Sequence, residues 1–142
     1  MSKPVVVFGG PSDEHDISIL TGLQVARALG EVHAVYWSKA GEWYLVDAGL
    51  GAGDFADGVP RKARELAFVA SPGQGFLFKR KPIDLSAVFI ACHGGPGEDG
   101  TLQGLLDLAG LRYTGPGQAA SALGMDKLAF AAAMAAAGLP TL

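Results

Sequence analysis

Several things this 142-residue sequence lacks narrow its function before any motif is considered. Cys92 is the single cysteine, which excludes an intramolecular disulfide framework and a zinc site built from several thiolates, and makes a reducing cytosol the simplest home. Positive charge is not in excess: eleven Lys plus Arg against fourteen Asp plus Glu give −3, so neither nucleic acid nor an anionic membrane is an expected partner. Long apolar runs are missing as well. The longest, Leu128 to Ala137, is alanine-rich and about half of what a bilayer-spanning helix needs. The N-terminal run is broken at Gly9-Gly10-Pro11, short of a signal peptide's apolar region, so a cytoplasmic location with no export is expected. Gly-x-Gly-x-x-Gly and Gly-Lys-Ser/Thr are also absent, which weakens dinucleotide and simple NTPase readings.

What is present suits one packed domain: 49% hydrophobic and 18% charged residues support a buried core rather than disorder. Glycine is the informative excess, with 21 residues against a usual share of about 7%. It clusters at 9–10, 49–58 and 94–104, where backbone turns sharply or approaches something closely. Pro4 to Phe8 is a β-branched and aromatic run typical of a strand buried on both faces, and Glu14 to Leu29 has helical spacing, with Ser12 or Asp13 to start it and Gly30 to stop it. Val32 to Trp37 and Trp43 to Val46 read as strands, 47–62 as a surface excursion, and Leu66–Ala70 with Gly75–Lys79 as a peripheral hairpin. Leu85 to Ala91 is another apolar run read as a strand, followed by a glycine loop and a helix closed by Gly110, a second strand-loop-helix unit. A short strand at Leu111–Thr114 and helices at 117–123 and 126–137 complete the chain. The expected fold is α/β, an open, mostly parallel sheet with helices on both faces. Both glycine loops then lie at carboxyl ends of strands, on the rim where such sheets bind ligands.

Three segments on that rim carry polar residues. In Gly9-Gly10-Pro11-Ser12-Asp13-Glu14-His15-Asp16-Ile17-Ser18, Glu14 can bind an ammonium or complement the helix dipole. His15 and Asp16 read as exposed first-turn residues, and Ser18 as a surface residue or a link in a hydrogen-bond network. In His93-Gly94-Gly95-Pro96-Gly97-Glu98-Asp99-Gly100, glycine N–H groups can converge on an anion and His93 can donate or exchange a proton. Asp99 reads as a helix N-cap, and Glu98 as a solvated acid or one that holds a lysine elsewhere. A metal held by Glu14, His15, His93 and Glu98 is the weaker alternative, since no recognised ligand spacing such as His-Glu-x-x-His occurs. Cys92, at the end of an apolar strand, should be a buried, inert thiol. In Ser121-Ala122-Leu123-Gly124-Met125-Asp126-Lys127, Lys127 sits in a first helical turn, either facing a phosphate or as an exposed lysine.

Together these motifs, with Lys39-x-Gly41-x-Trp43 between them, resemble the D-alanine–D-alanine ligase family over essentially the whole chain. The resemblance implies an ATP-grasp enzyme whose N-terminal, pre-ATP-grasp Rossmann-like domain would be residues 1–124, with 125–142 opening the central domain. It implies ligation of two D-alanines through an acyl phosphate, for peptidoglycan synthesis, with ATP and Mg2+ or Mn2+. By the same resemblance, Glu14 binds the first D-alanine's ammonium, Ser18 steadies it, and His93 with Gly94 and Gly95 lines the carboxylate pocket. Glu98 orders active-site groups, and Lys127 contacts ATP phosphate. Homodimerisation through this region is also implied. Asp16-Ile17 stands where many members have Glu-Val; an acid one carbon shorter at this position also occurs in the related D-alanine–D-lactate ligases, which gives an alternative second substrate. The phosphate loop, the metal-binding acids and the second-substrate loop would lie beyond Leu142, so these 142 residues alone are expected to be inactive. A stand-alone, non-catalytic binding module is the rival reading.

Overall fold

A computed structural model describes residues 2–141. Seven strands form one sheet: β1 (Lys3–Gly9), β2 (His33–Trp37), β3 (Trp43–Val46), β4 (Arg64–Val69), β5 (Gly75–Phe78), β6 (Lys81–Pro82) and β7 (Leu85–Ile90), in the order β6-β5-β4-β3-β2-β1-β7. Four helices accompany it: α1 (His15–Leu29), α2 (Thr101–Leu108), α3 (Gln118–Met125) and α4 (Lys127–Ala136).

The α/β architecture is present, but its sheet is mixed rather than mostly parallel. β1 runs parallel to β2 and β7, whereas β2 through β6 pair antiparallel. Connection length explains where the direction first reverses, between β2 and β3. Only five residues, 38–42, separate β2 from β3, and a parallel return needs a crossover of about a dozen or more. The α1 crossover from β1 to β2 meets that requirement, as does the much longer path from β2 to β7.

Helices cover both faces of the parallel part. Alternate β1 side chains supply the two cores: Val6 and Phe8 pack with Ile19, Leu23 and Ala26 of α1, while Val5 and Val7 pack with Leu102 and Leu106 of α2. Close packing of α1 on β1 depends on Gly22, where an added Cβ would lie 2.2 Å from the Cβ of Phe8. The continuous apolar pattern of 4–8 is thus the signature of a strand covered on both sides.

The β4–β5 hairpin is not peripheral. It pairs with β3 and carries the fully buried Phe76, which meets Trp43 edge-on beneath the Trp37–Trp43 stack. Within the surface excursion a short 3-10 turn, Ala52–Phe55, buries Phe55 against Phe8 and Tyr36. The strand expected at 111–114 is reduced to one parallel bridge, Val88 to Tyr113. No single helix among the described residues is long and apolar enough to cross a membrane. Asp126 caps α4 by accepting from the N–H groups of Leu128 (3.1 Å) and Ala129 (2.9 Å), yet no α4 residue is buried.

Candidate functional site

Because β1 and β7 are adjacent and parallel, the two loops leaving their carboxyl ends meet on one rim. Ser12 ties them together: its hydroxyl donates to the carbonyl of His93 at 2.8 Å and accepts from the N–H of Glu14 at 3.0 Å. Below this tie, the buried Ser18 hydroxyl accepts from Gly9 N–H (2.7 Å) and donates to the carbonyl of Ala91 (2.9 Å), joining the ends of β1 and β7. Ser18 is therefore a clasp under the site; both bonds go to backbone, and Glu14 meets Ser18 only through the helical hydrogen bond.

Above the clasp, Glu14, His93 and Glu98 each offer a side-chain atom within 4.8 Å of the other two. Glu98 is anchored where one carboxylate oxygen accepts the N–H of Gly94 at 2.5 Å. The His93 ring is held by Nε2, which lies 2.9 Å from Oγ1 of Thr21 on α1. Gly94 adopts φ 65°, ψ 173°, a region essentially reserved for glycine, and a Cβ there would stand 2.7 Å from the Ser12 hydroxyl. A cleft of about 570 Å³ opens beside these groups, lined by Ser12, Asp13, Glu14, Gly94, Gly95 and Lys39 together with Pro11. Asp13, Glu14 and Lys39 all line it, so the cleft carries both the negative and the positive charge that a zwitterion needs.

The remaining expected site residues fall elsewhere. His15 is buried at 4% exposure, not an exposed first-turn residue: Nδ1 lies 2.7 Å from the carbonyl of Gly10 and Nε2 3.0 Å from the Tyr36 hydroxyl. With both ring nitrogens occupied, it does not join the Glu14 group. Burial, with Asp16's charge adding, raises the Tyr36 pKa and keeps that phenol protonated. Gly100, with φ 97°, takes the α2 N-cap position, and Asp99 instead accepts from the N–H of Thr101 at 2.9 Å. Cys92 is buried and its thiol is pushed up to about 12 by that burial, as expected of an inert cysteine. Lys127 lines a separate open cavity with Asp99 and Asp126. Two residues that sequence reasoning passed over as site residues are Lys39 and Thr21. Lys39 is in the Lys-x-Gly-x-Trp turn, while nothing in the sequence links Thr21 to His93.

The donor groups do not fit a resident magnesium. Among the described residues only Glu14, His93 and Glu98 cluster as ligands, and an imidazole donor suits transition metals better than Mg2+, which takes oxygen. Nor does one lysine flanked by two acids make a triphosphate cradle.

Residues 3–116 match the family model described as D-ala D-ala ligase N-terminus. A D-alanine–D-alanine ligase of Prochlorococcus marinus (strain MIT 9303) is 42% identical over 144 residues, covering 95% of this chain and 40% of the relative. The crystal structure of D-alanine–D-alanine ligase from Helicobacter pylori superposes with a TM-score of 0.85 at 26% identity, over 100% of this chain and 44% of that one. VanG D-Ala:D-Ser ligase from Enterococcus faecalis gives 0.79 at 27% identity, over 97% of this chain and 43% of that one. The chain spans about 40% of the length of the curated relatives it matches. With the family model matching most of its residues, and the glycine loops, mixed sheet and rim cleft in place, the chain belongs to the D-alanine–D-alanine ligase family, matching its N-terminal part.

Proposed function

We propose that this chain is the first-substrate end of a D-alanine–D-alanine ligase, a whole protein that uses ATP to join two D-alanines for peptidoglycan synthesis. The observation that carries the reading is the convergence of Glu14, His93 and Glu98 from loops about eighty residues apart, at the edge of a cleft that Glu14, Gly94 and Gly95 line. In it, Glu14 holds the ammonium of the first D-alanine by a charge-assisted hydrogen bond, and His93 with the Gly94-Gly95 backbone faces the carboxylate. Glu98 fixes the glycine loop and meets groups from the rest of the enzyme, while Ser18 braces the strand ends beneath. Carboxyl activation needs the substrate held still with its charges matched, and preformed loops do that without reorganisation.

In this reading residues 1–124 form the N-terminal domain and 125–142 begin the central one. The exposure of α4 supports that division: Leu128 is 85% exposed and Phe130 44%, as befits a helix whose core lies in a further unit. Lys127 then reaches an ATP phosphate from that threshold. ATP and Mg2+ or Mn2+ bind chiefly to parts outside this chain, the compartment is the cytoplasm, and the enzyme pairs as a homodimer. The second substrate, D-alanine or an alternative such as D-lactate, is chosen outside these residues too. In the full-length protein, Glu14→Gln is expected to lower kcat/KM for D-alanine by about tenfold or more, equivalent to about 1.4 kcal/mol or more of lost transition-state stabilisation. Wild-type turnover by that variant would overturn the assignment. The 142 residues alone should give no dipeptide from ATP and D-alanine.

A further inference from the structure

We infer that Glu14, His93 and Glu98 form a site for a transition-metal divalent cation, with Zn2+ as its best-matched ion, on the spot where the substrate ammonium is held. The group combines one imidazole and two carboxylates, a donor set that zinc accepts at about 2.0–2.2 Å. Both glutamates are exposed, so side-chain rotation can draw their oxygens, now within 4.8 Å of the imidazole and of each other, onto one ion. His93 is already oriented: when Nε2 donates its proton to Thr21 Oγ1 at 2.9 Å, Nδ1 is left with a free lone pair, the outer-sphere arrangement common around metal-bound histidines. Glu98 is likewise steadied through one oxygen by Gly94 N–H, leaving the other free. The open cleft provides room for water in the remaining coordination positions. His15 is excluded because both its nitrogens are occupied, and Cys92 because it is buried beneath the loop.

Metal binding stands on this geometry alone; its consequence, that zinc competes with the first D-alanine and so inhibits, rests on the amino-acid reading of the cleft. The test is a calorimetric titration of Zn2+ into the protein and its His93→Asn, Glu14→Gln and Glu98→Gln variants, with His33→Gln as control. One zinc per chain is expected, weakened by about tenfold or more in each of the three site variants and unchanged in the control. The glutamates are exposed, so their variants keep the test valid even if His93→Asn misfolds. No saturable uptake, or equal uptake by wild type and both glutamine variants, would overturn the site. The titration is then repeated in D-alanine and in L-alanine, which chelate zinc equally in free solution. Stronger weakening by D-alanine supports the shared site. Equal weakening, with the mutational pattern intact, would leave the zinc site standing and refute the competition.

Discussion

Replacing Gly94 by alanine should damage both the loop and the cleft, and the structure sets the size of the effect. At φ 65°, ψ 173° an L-residue costs about 1–3 kcal/mol in backbone strain. Its Cβ would stand 2.7 Å from the Ser12 hydroxyl, so Ser12 must turn away and lose its bond to the His93 carbonyl, a further cost of about 1 kcal/mol. The sum, about 2–4 kcal/mol, corresponds to a fall in Tm of roughly 8–16 °C at about 4 °C per kcal/mol for a chain of this size. Urea unfolding followed by Trp fluorescence reads it directly, since Trp37 and Trp43 stack in the core. The Ser12→Ala variant should lose about 1 kcal/mol, and because it removes the atom that the new Cβ would strike, the double variant should lose less than the two singles added. Stability of Gly94→Ala within about 0.5 kcal/mol of wild type, or strict additivity, would refute this account of the loop.

Thr21→Val should release the His93 ring while Thr21→Ser keeps it. In the full-length enzyme the valine variant should raise KM for D-alanine and change the pH profile, the serine variant should do neither, and equal behaviour of the two would dismiss Thr21 as a positioning residue. Phe76→Ala empties a fully buried site beside Trp43 and Phe68 and should cost about 3–5 kcal/mol in urea unfolding; a loss below about 1 kcal/mol would mean that the hairpin is peripheral after all. Cys92 should resist thiol reagents in the folded protein and react once it is unfolded. The unfolded thiol releases its proton near 9 and the folded one only near about 12, so across that range the unfolded state binds fewer protons and stability falls as pH rises. A Cys92→Ala variant should show a shallower alkaline loss, and an identical slope would contradict the burial argument.

Much of this organisation was legible in the residues because it is encoded locally. Pro4–Phe8 announces itself as a doubly covered strand and Leu85–Ala91 as a second, largely apolar one, which forms the sheet edge with only Val88 of β7 fully buried; each runs into a glycine loop and a helical repeat, which places Glu14, His93 and Glu98 on one rim. The short 38–42 turn leaves no length for a crossover and so fixes β3 as antiparallel to β2, but the 47–63 link is long enough for either direction, and the antiparallel pairing of β4 was not legible in it. Other features depend on distant partners. His15 looks like a first-turn surface residue until β2 brings the Tyr36 hydroxyl, 21 positions away, onto its ring. Thr21 lies 72 residues from His93, and Phe76 joins the core only because the hairpin docks onto β3. Lys39 reaches the cleft because β2 ends beside β1, a register that no local pattern specifies.

The central claim is that the rim cleft holds D-alanine through Glu14, and amide NMR of the 15N-labelled protein tests it most directly. Titration with D-alanine should produce saturable shifts at Glu14, Gly94 and Gly95, much weaker shifts with L-alanine, and none in Glu14→Gln, whose folded spectrum should otherwise be preserved because Glu14 is exposed. Absence of saturable shifts at these amides, or the same shifts in Glu14→Gln, would contradict the claim.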